Sequence, residues 1–217
     1  RQMCIRDRTN GARNFGLMGL NYSSIEAVFI THFHSDHIDG LGELSLFRWI
    51  GGQKREPLTV YGPEGIDQVV NGFNVAYELD SRYRNLHHGD DVADLNGYGM
   101  IPITFDMDEK IASTIVFNDD GVKVEAFSVN HAPASPAVGY KISYKGRSTV
   151  ISGDTSKNKN LERNSKDVDL LIHSGLSPKL LRMMSTAALQ AGNNAQAKIF
   201  HDVLDYLSLI HISEPTR

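Results

Sequence analysis

Three imidazoles and one carboxylate fall within the short stretch Thr31–His37, which reads Thr-His-Phe-His-Ser-Asp-His. Neutral imidazole nitrogens and carboxylate oxygens are the donors that suit Zn²⁺, Fe or Mn²⁺. Residues two apart in an extended segment point the same way, so His32 and His34 are predicted to reach one ion together. Asp36 and His37 follow at a turn and are predicted to face a neighbouring position. The stretch therefore indicates a metal site, and its two pairs of donors suggest two ions.

Candidate ligands also follow two later segments that are predicted to be strands. Residues 122–129 alternate apolar and polar side chains, as a half-buried strand does, and lead into His131. Residues 148–152 lead into Gly153 and Asp154. Taken alone, a His after a strand is more often a surface residue, and an Asp after Gly is usually a turn former. Together with the first cluster they favour a metal site over a solvated loop that merely happens to be rich in histidine.

The elements that must position these side chains alternate along the first half of the chain and become mostly strands in the second. Asn118–Gly121 and Lys145-Gly146 carry hairpin turn signals. The pattern predicts helices at 39–50 and 63–79, strands at 27–31, 58–61, 113–118, 122–129, 137–144, 148–152 and 168–173, and helix in most of the remainder.

The stretch from about residue 80 to 112 is predicted to be less regular. Its polar and aromatic segment Arg82–Gly89 is interpreted as a lid that could contact substrate. His87 and His88 are predicted to be loop or surface residues, because adjacent residues of a strand point to opposite faces and cannot easily reach one ion. His173, at the end of the last predicted strand, is interpreted as a residue that could hydrogen-bond to a metal ligand.

Four segments of the sequence resemble those of the metallo-β-lactamase-fold hydrolases, particularly the ribonuclease Z, phosphodiesterase and arylsulfatase-like branch. The first is Thr31–His37, and the second is His131 followed by Gly139-Tyr140. The third is Ser152–Thr155, and the fourth is Asp167–His173. The resemblance implies an α/β fold, a four-layer αββα sandwich of the metallo-β-lactamase type.

The resemblance also implies individual roles. His32, His34 and His131 would hold the first ion, Asp36 and His37 the second, and Asp154 would bridge both. Asp36 would in addition accept a hydrogen bond from the nucleophile and pass its proton onward.

The family's further ligand and its catalytic His-Ser-Thr are not clearly matched. Met184-Ser185-Thr186 has Met in place of His. His211 is a candidate for the remaining ligand, but the sequence around it is read more readily as an accidental tail.

The predicted hydrolase domain covers residues 9–207 and is expected to be incomplete, truncated at both ends. Residues 1–8 and 208–217 resemble translated adaptor sequence and are expected to be non-native. Cys4, the single cysteine, lies in the first of these segments, so the predicted domain holds neither a disulfide nor a thiolate metal site. We accordingly predict reduced or absent turnover for these 217 residues, compared with the complete gene product.

Composition sets milder limits on partners. The formal charge is −4, and an acidic domain is a poor general binder of nucleic acid, which disfavours RNA as a substrate but leaves it open. No apolar run approaches the length of a membrane span. A homodimer is an open alternative from the resemblance, a cytoplasmic location is favoured but not established, and a signal peptide cannot be judged.

The expected function is that of a zinc-dependent hydrolase with a dinuclear centre and metal-bound hydroxide, acting on phosphodiesters or a related small molecule. Two Zn²⁺ ions are expected in the complete protein, with Mn²⁺ or Fe as alternatives. An arylsulfatase or lactonase would use the same ligands. A metal-binding protein without turnover is the alternative of another class.

Overall fold

The computed structural model describes residues 11–107 and 111–206, and the chain divides into two compact units after Asp106. We call them the N-terminal unit and the C-terminal unit. Each has one β-sheet and its own helices, so the predicted mixed α/β class is confirmed. The domain boundaries 9–207 stay a prediction. The segments 1–8 and 208–217, with Cys4 and His211, lie outside the described residues.

Strands and helices alternate in the N-terminal unit. The helices are α1 (Gly11–Leu17), α2 (Leu41–Ile50), α3 (Ile66–His88) and α4 (Asp90–Ala93), and the strands are β1 (Ala27–Phe29), β2 (Leu58–Pro63) and β3 (Met100–Phe105).

The sheet of this unit is parallel, in the order β1-β2-β3. All three residues of β1 are buried, as expected of a parallel strand covered on both faces. Helix α2 buries Leu41, Leu44, Ser45, Arg48 and Trp49, the i, i+3, i+4, i+7, i+8 spacing of one helix face. The core of the unit lies between these helices and the sheet.

Arg48 is a buried charge that ties α2 to the segments preceding β1 and β2. Its Nε donates to the Ile25 carbonyl at 2.7 Å, and its Nη1 donates to the Glu56 carbonyl at 2.7 Å. Burial lowers the pKa of this guanidinium, and the nearby carboxylates of Glu56 and Glu26 act in the opposite direction. These bonds fix where β1 begins, and therefore where it delivers the residues that follow it.

Five strands form the sheet of the C-terminal unit, in the order β4-β5-β6-β7-β8. Pairing is antiparallel from β4 to β7, and β7 pairs with β8 in parallel. The elements are β4 (Thr114–Asp119), β5 (Val122–Ser128), β6 (Val138–Tyr144), β7 (Arg147–Ile151), α5 (Lys159–Asn164), β8 (Leu170–Ile172), α6 (Pro178–Gln190) and α7 (Asn194–Tyr206).

Both predicted hairpin turns are confirmed. Asp120 and Gly121 have φ values of 49° and 76°, and Lys145 and Gly146 have φ values of 48° and 77°. Two consecutive residues with positive φ are what a two-residue type I′ turn requires. Gly139, from the Gly-Tyr pair noted in the sequence, leaves room for a neighbouring ring, since a Cβ there would lie 2.5 Å from Phe127 Cζ.

The prediction for residues 63–110 was wrong in two places. The helix predicted to end at 79 continues to His88, and the stretch predicted to be irregular also contains β3. Side-chain pairs four residues apart, Glu78 with Arg82 and Asp80 with Arg84, support the extra turns, and Gly89 ends the helix with a φ of 70°. Strand β3 contains Pro102, which an edge strand tolerates.

Within the described residues, none of the helices is both long and apolar enough to cross a membrane.

Candidate metal centre

The candidate ligands of the N-terminal unit lie in the loop that follows β1. The Ile30 N–H donates to the Tyr61 carbonyl at 2.9 Å, which continues the pairing with β2 up to the edge of the loop. His34 has an extended backbone, and a 3₁₀ turn then covers Ser35–His37. The predicted strand end followed by a turn is therefore observed.

The side chains of this loop gather at its inner side. His32 Nε2 lies 3.0 Å from His34 Nδ1, and the ring centroids of His32 and His37 are 4.1 Å apart. Asp36 Oδ2 lies 3.2 Å from His37 Nε2. His32 and His37 are buried, whereas His34 and Asp36 are exposed. The loop thus joins two buried imidazoles to two solvent-facing donors.

Thr31 adds a contact to the first of these histidines. Its Oγ1 lies 3.2 Å from His32 Nδ1, and the residue is buried. An imidazole that is held through one ring nitrogen presents the other in a fixed direction. Thr31 therefore aims His32 Nε2 towards His34.

The candidate ligands of the C-terminal unit follow β5 and β7. Both strands are antiparallel to β6 and therefore run in the same direction, so their carboxyl ends lie at one edge of the sheet. His131 comes three residues after the end of β5 and is buried; Asp154 comes three residues after the end of β7 and is half-buried.

Hydrogen bonds between Asn130 and Thr155 and Ser156 join the two loops, and we call them the Asn130–Thr155 clasp. The Asn130 N–H donates to Thr155 Oγ1 at 3.2 Å, and the Ser156 N–H donates to the Asn130 carbonyl at 2.8 Å. The buried Thr155 hydroxyl also lies 2.7 Å from the Ser156 carbonyl. Each bonded residue is next to, or two positions from, a candidate ligand. The clasp therefore holds the His131 and Asp154 loops in a fixed register.

His173 supports the Asp154 loop from β8. Its Nδ1 lies 2.8 Å from Ser152 Oγ, two residues before Asp154, and the Ser174 hydroxyl donates to the Gly153 carbonyl at 3.2 Å. His173 thus contacts the loop that carries Asp154, while its predicted hydrogen bond to a ligand stays a prediction. The sequence carries no signal for the clasp beyond the Ser152–Thr155 motif itself.

A polar pocket of about 270 Å³ opens beside His131 in the same unit. Amide and hydroxyl side chains line it, from Asn130, Ser135, Asn158 and Asn160. Asn158 Oδ1 accepts from the backbone N–H groups of Asn160 and Leu161 and so begins α5. His87 and His88, in contrast, are exposed at the end of α3.

The six predicted ligands therefore form two groups, with four in the N-terminal unit and two in the C-terminal unit. All six carry an imidazole nitrogen or a carboxylate oxygen, which are the donor types of a metal ligand.

Comparison with known families matches residues 10–199 to the metallo-beta-lactamase superfamily. Ribonuclease Z of Mycolicibacterium gilvum is 27% identical over 201 residues, which cover 92% of this chain and 63% of the relative. Ribonuclease Z of Mycobacterium marinum is 31% identical over 159 residues, which cover 72% of this chain and 54% of the relative. The chain thus spans about three fifths of the length of these curated relatives.

Among solved structures, the crystal structure of human tRNase Z, short form, aligns with a TM-score of 0.55 and 21% sequence identity. The alignment covers 87% of this chain and 74% of the human chain. This likeness concerns the fold alone.

Proposed function

The chain belongs to the metallo-β-lactamase superfamily, and from that premise we propose that it forms the metal-binding part of a hydrolase that cleaves phosphodiester bonds. The observation that carries the proposal is the group of four donors after β1, with His32 Nε2 and His34 Nδ1 3.0 Å apart. Two nitrogens bound to one tetrahedral ion at about 2.05 Å would lie about 3.3 Å apart, so this pair fits a shared ion.

Each predicted ligand then has a role in the proposal. His32, His34 and His131 would hold one ion, Asp36 and His37 would hold another, and Asp154 would serve both. Support comes from the donor types and from the buried positions of His32, His37 and His131. The clasp, which fixes the loops of His131 and Asp154, supports it further.

Nitrogen and oxygen donors without thiolate suit Zn²⁺, and we propose two such ions, with Mn²⁺ or Fe as alternatives. Ions bound here would polarise a substrate oxygen and lower the pKa of a coordinated water to about 7.

Asp36 is the residue we propose as catalytic. Its carboxylate is 64% exposed, while its partner in the loop, His37, is 2% exposed. An exposed carboxylate held against a buried imidazole can accept a hydrogen bond from an attacking water and orient it. The same oxygen can then carry the proton to the leaving group. The amide and hydroxyl groups beside His131 are suited to hold the oxygens of a phosphate ester.

We favour a phosphodiester over an aryl sulfate or lactone because the curated relatives carry the name Ribonuclease Z. The net charge of −4 favours a small or locally bound substrate over a long nucleic acid.

The test combines metal analysis with a substrate panel. The purified chain is loaded with Zn²⁺, freed of excess metal and analysed by mass spectrometry for bound ions. Bis-aryl phosphate, aryl sulfate and acyl lactone are then offered in parallel. Two ions are expected, together with slow turnover in which the phosphate is cleaved in preference to the other two substrates. Preferential cleavage of the sulfate or the lactone would change the proposed substrate class to that compound's class. Two ions without turnover would indicate a metal-binding protein, and the absence of bound ions would refute the proposal.

A further inference from the structure

The polar pocket beside His131 has almost no charge of its own. Apart from His131, the described residues that line it carry only neutral side chains, with no Asp, Glu, Lys or Arg among them. A phosphate group is usually held by cationic side chains or by a metal ion. Since a bound ion would lie at the His131 end, the rest of the pocket is suited to a neutral part of the substrate.

The same lining also lacks an aromatic ring. Among its described residues there is no Phe, Tyr or Trp, and its apolar side chains are the small ones of Val129, Ala132 and Ala134. Proteins commonly hold aryl groups and nucleobases by stacking them on aromatic side chains. Neither group would find such a partner in this pocket.

Three asparagines at the pocket keep hydrogen-bonding capacity for a ligand. Asn158 Oδ1 accepts from the Asn160 N–H at 2.7 Å, which leaves the Asn158 Nδ2 group as a donor. Asn160 Nδ2 donates to the Ser128 carbonyl at 3.4 Å, which leaves Asn160 Oδ1 as an acceptor. Asn130 Oδ1 accepts from the Ala132 N–H at 3.4 Å, which leaves a second Nδ2 donor. In the part of the chain that the structure describes, the pocket thus offers both donors and an acceptor.

A group rich in hydroxyls matches this mixed set. Each hydroxyl both donates and accepts a hydrogen bond, whereas a phosphate oxygen only accepts and an aryl ring does neither. The pocket volume of about 270 Å³ is below the range of about 300–1,000 Å³ that is typical of sites for whole small molecules. It is therefore suited to one part of a substrate.

We propose that this pocket binds the alcohol half of the phosphodiester, and that this half is a polyol such as a ribose or a glycerol. The inference rests on the proposed function, because it assigns one half of the substrate that is cleaved there. Asn158 and Asn160 select the substrate through its hydroxyl groups, while the phosphate lies towards His131.

The first experiment ranks three phosphate monoesters by isothermal titration calorimetry on the Zn²⁺-loaded chain. Glycerol 3-phosphate, ribose 5-phosphate and phenyl phosphate carry the same phosphate and differ only in the alcohol. At least one polyol ester is expected to bind about tenfold more tightly than phenyl phosphate, because the ring leaves the pocket's polar groups without partners. The tighter of the two polyol esters identifies the alcohol.

Equal or tighter binding of phenyl phosphate, or no binding of any of the three esters, would overturn the inference. The zinc content of the same sample tests the proposed function, whereas the ranking compares esters with a common phosphate. The two proposals can therefore fail separately.

The second experiment changes Asn158 to Ser, which also caps helices well but lacks the amide donor. The preference for the polyol ester over phenyl phosphate is expected to fall by about two- to tenfold, the effect of one hydrogen bond. Asn193→Ser is the matched control, since Asn193 Oδ1 accepts from the Gln196 N–H at the start of α7 and the residue does not line the pocket. An unchanged preference in Asn158→Ser would remove this residue from the site.

Discussion

The two groups of candidate ligands are positioned in different ways. In the N-terminal unit, His32, His34, Asp36 and His37 come from one loop, and their contacts join residues at most five positions apart. In the C-terminal unit, His131 and Asp154 are separated by 22 intervening residues and depend on two strands and the Asn130–Thr155 clasp. The first group is thus a local feature of the chain, whereas the second is a product of sheet pairing. The two groups should respond differently to substitution.

The largest expected effect is that of His34→Ala, which removes a donor from the local group. We expect kcat/KM on a bis-aryl phosphate to fall by about 10³-fold or more, since metal ions supply several kcal/mol of transition-state stabilisation. Bound metal, measured by mass spectrometry, should fall with it. His87→Ala, at the exposed end of α3, is the control and should retain both quantities. An unchanged rate for His34→Ala would remove this residue from the site.

Thr155→Val tests whether the second group depends on its clasp. The variant removes the buried Thr155 hydroxyl, which accepts from the Asn130 N–H. We expect the free energy of unfolding to fall by about 1–3 kcal/mol. Metal affinity should fall by about 10- to 100-fold, as for other residues that orient ligands.

Urea denaturation and zinc competition would measure these two quantities. Thr186→Val, where the hydroxyl is exposed and bonds within α6, is the matched control. Wild-type affinity in Thr155→Val would show that the clasp does not position the ligands.

Thr31→Val is the corresponding change in the local group. It removes the hydroxyl beside His32 Nδ1 while conserving shape. Since this loop keeps its own backbone bonds, we expect metal affinity to fall by about tenfold, at the lower end of the range for such contacts. The loss of stability, from the same urea titration, should be smaller than for Thr155→Val. A loss equal to or greater than that of Thr155→Val would contradict the distinction between the groups.

The smallest expected effect concerns Asp169, the residue before β8. It hydrogen-bonds to the start of β7 and belongs to neither group of candidate ligands. The hydrogen bond from Arg147, followed by that from the Ser148 N–H, holds the pKa of this carboxyl below its usual value. A lowered folded-state pKa contributes stability above the ordinary value near 3.9, and that contribution is lost as pH falls through the lowered pKa. Asp169→Asn should therefore lose less stability than wild type between pH 5 and pH 2.

Urea midpoints across that range provide the measurement. Arg147→Met should reduce the pH dependence in the same direction, because it removes the largest cause of the shift. Parallel curves for wild type and Asp169→Asn would show that the pair does not contribute.

Features whose cause lies within a few residues were predictable from the sequence. The 3₁₀ turn at Ser35–His37 and the hairpin turns at Asp120-Gly121 and Lys145-Gly146 follow from local spacing and from residues that accept positive φ. The resemblance to the metallo-β-lactamase superfamily rested on the same local motifs and is confirmed by the family match over residues 10–199.

Tertiary structure decided the features that depend on distant partners. The end of α3 was missed because its last turns are polar. The clasp and the His173–Ser152 contact join residues 25 and 21 positions apart. Short-range spacing can be read directly from the sequence. These bonds, in contrast, form only after strand pairing has brought the loops together, and local periodicity does not predict which strand ends become neighbours.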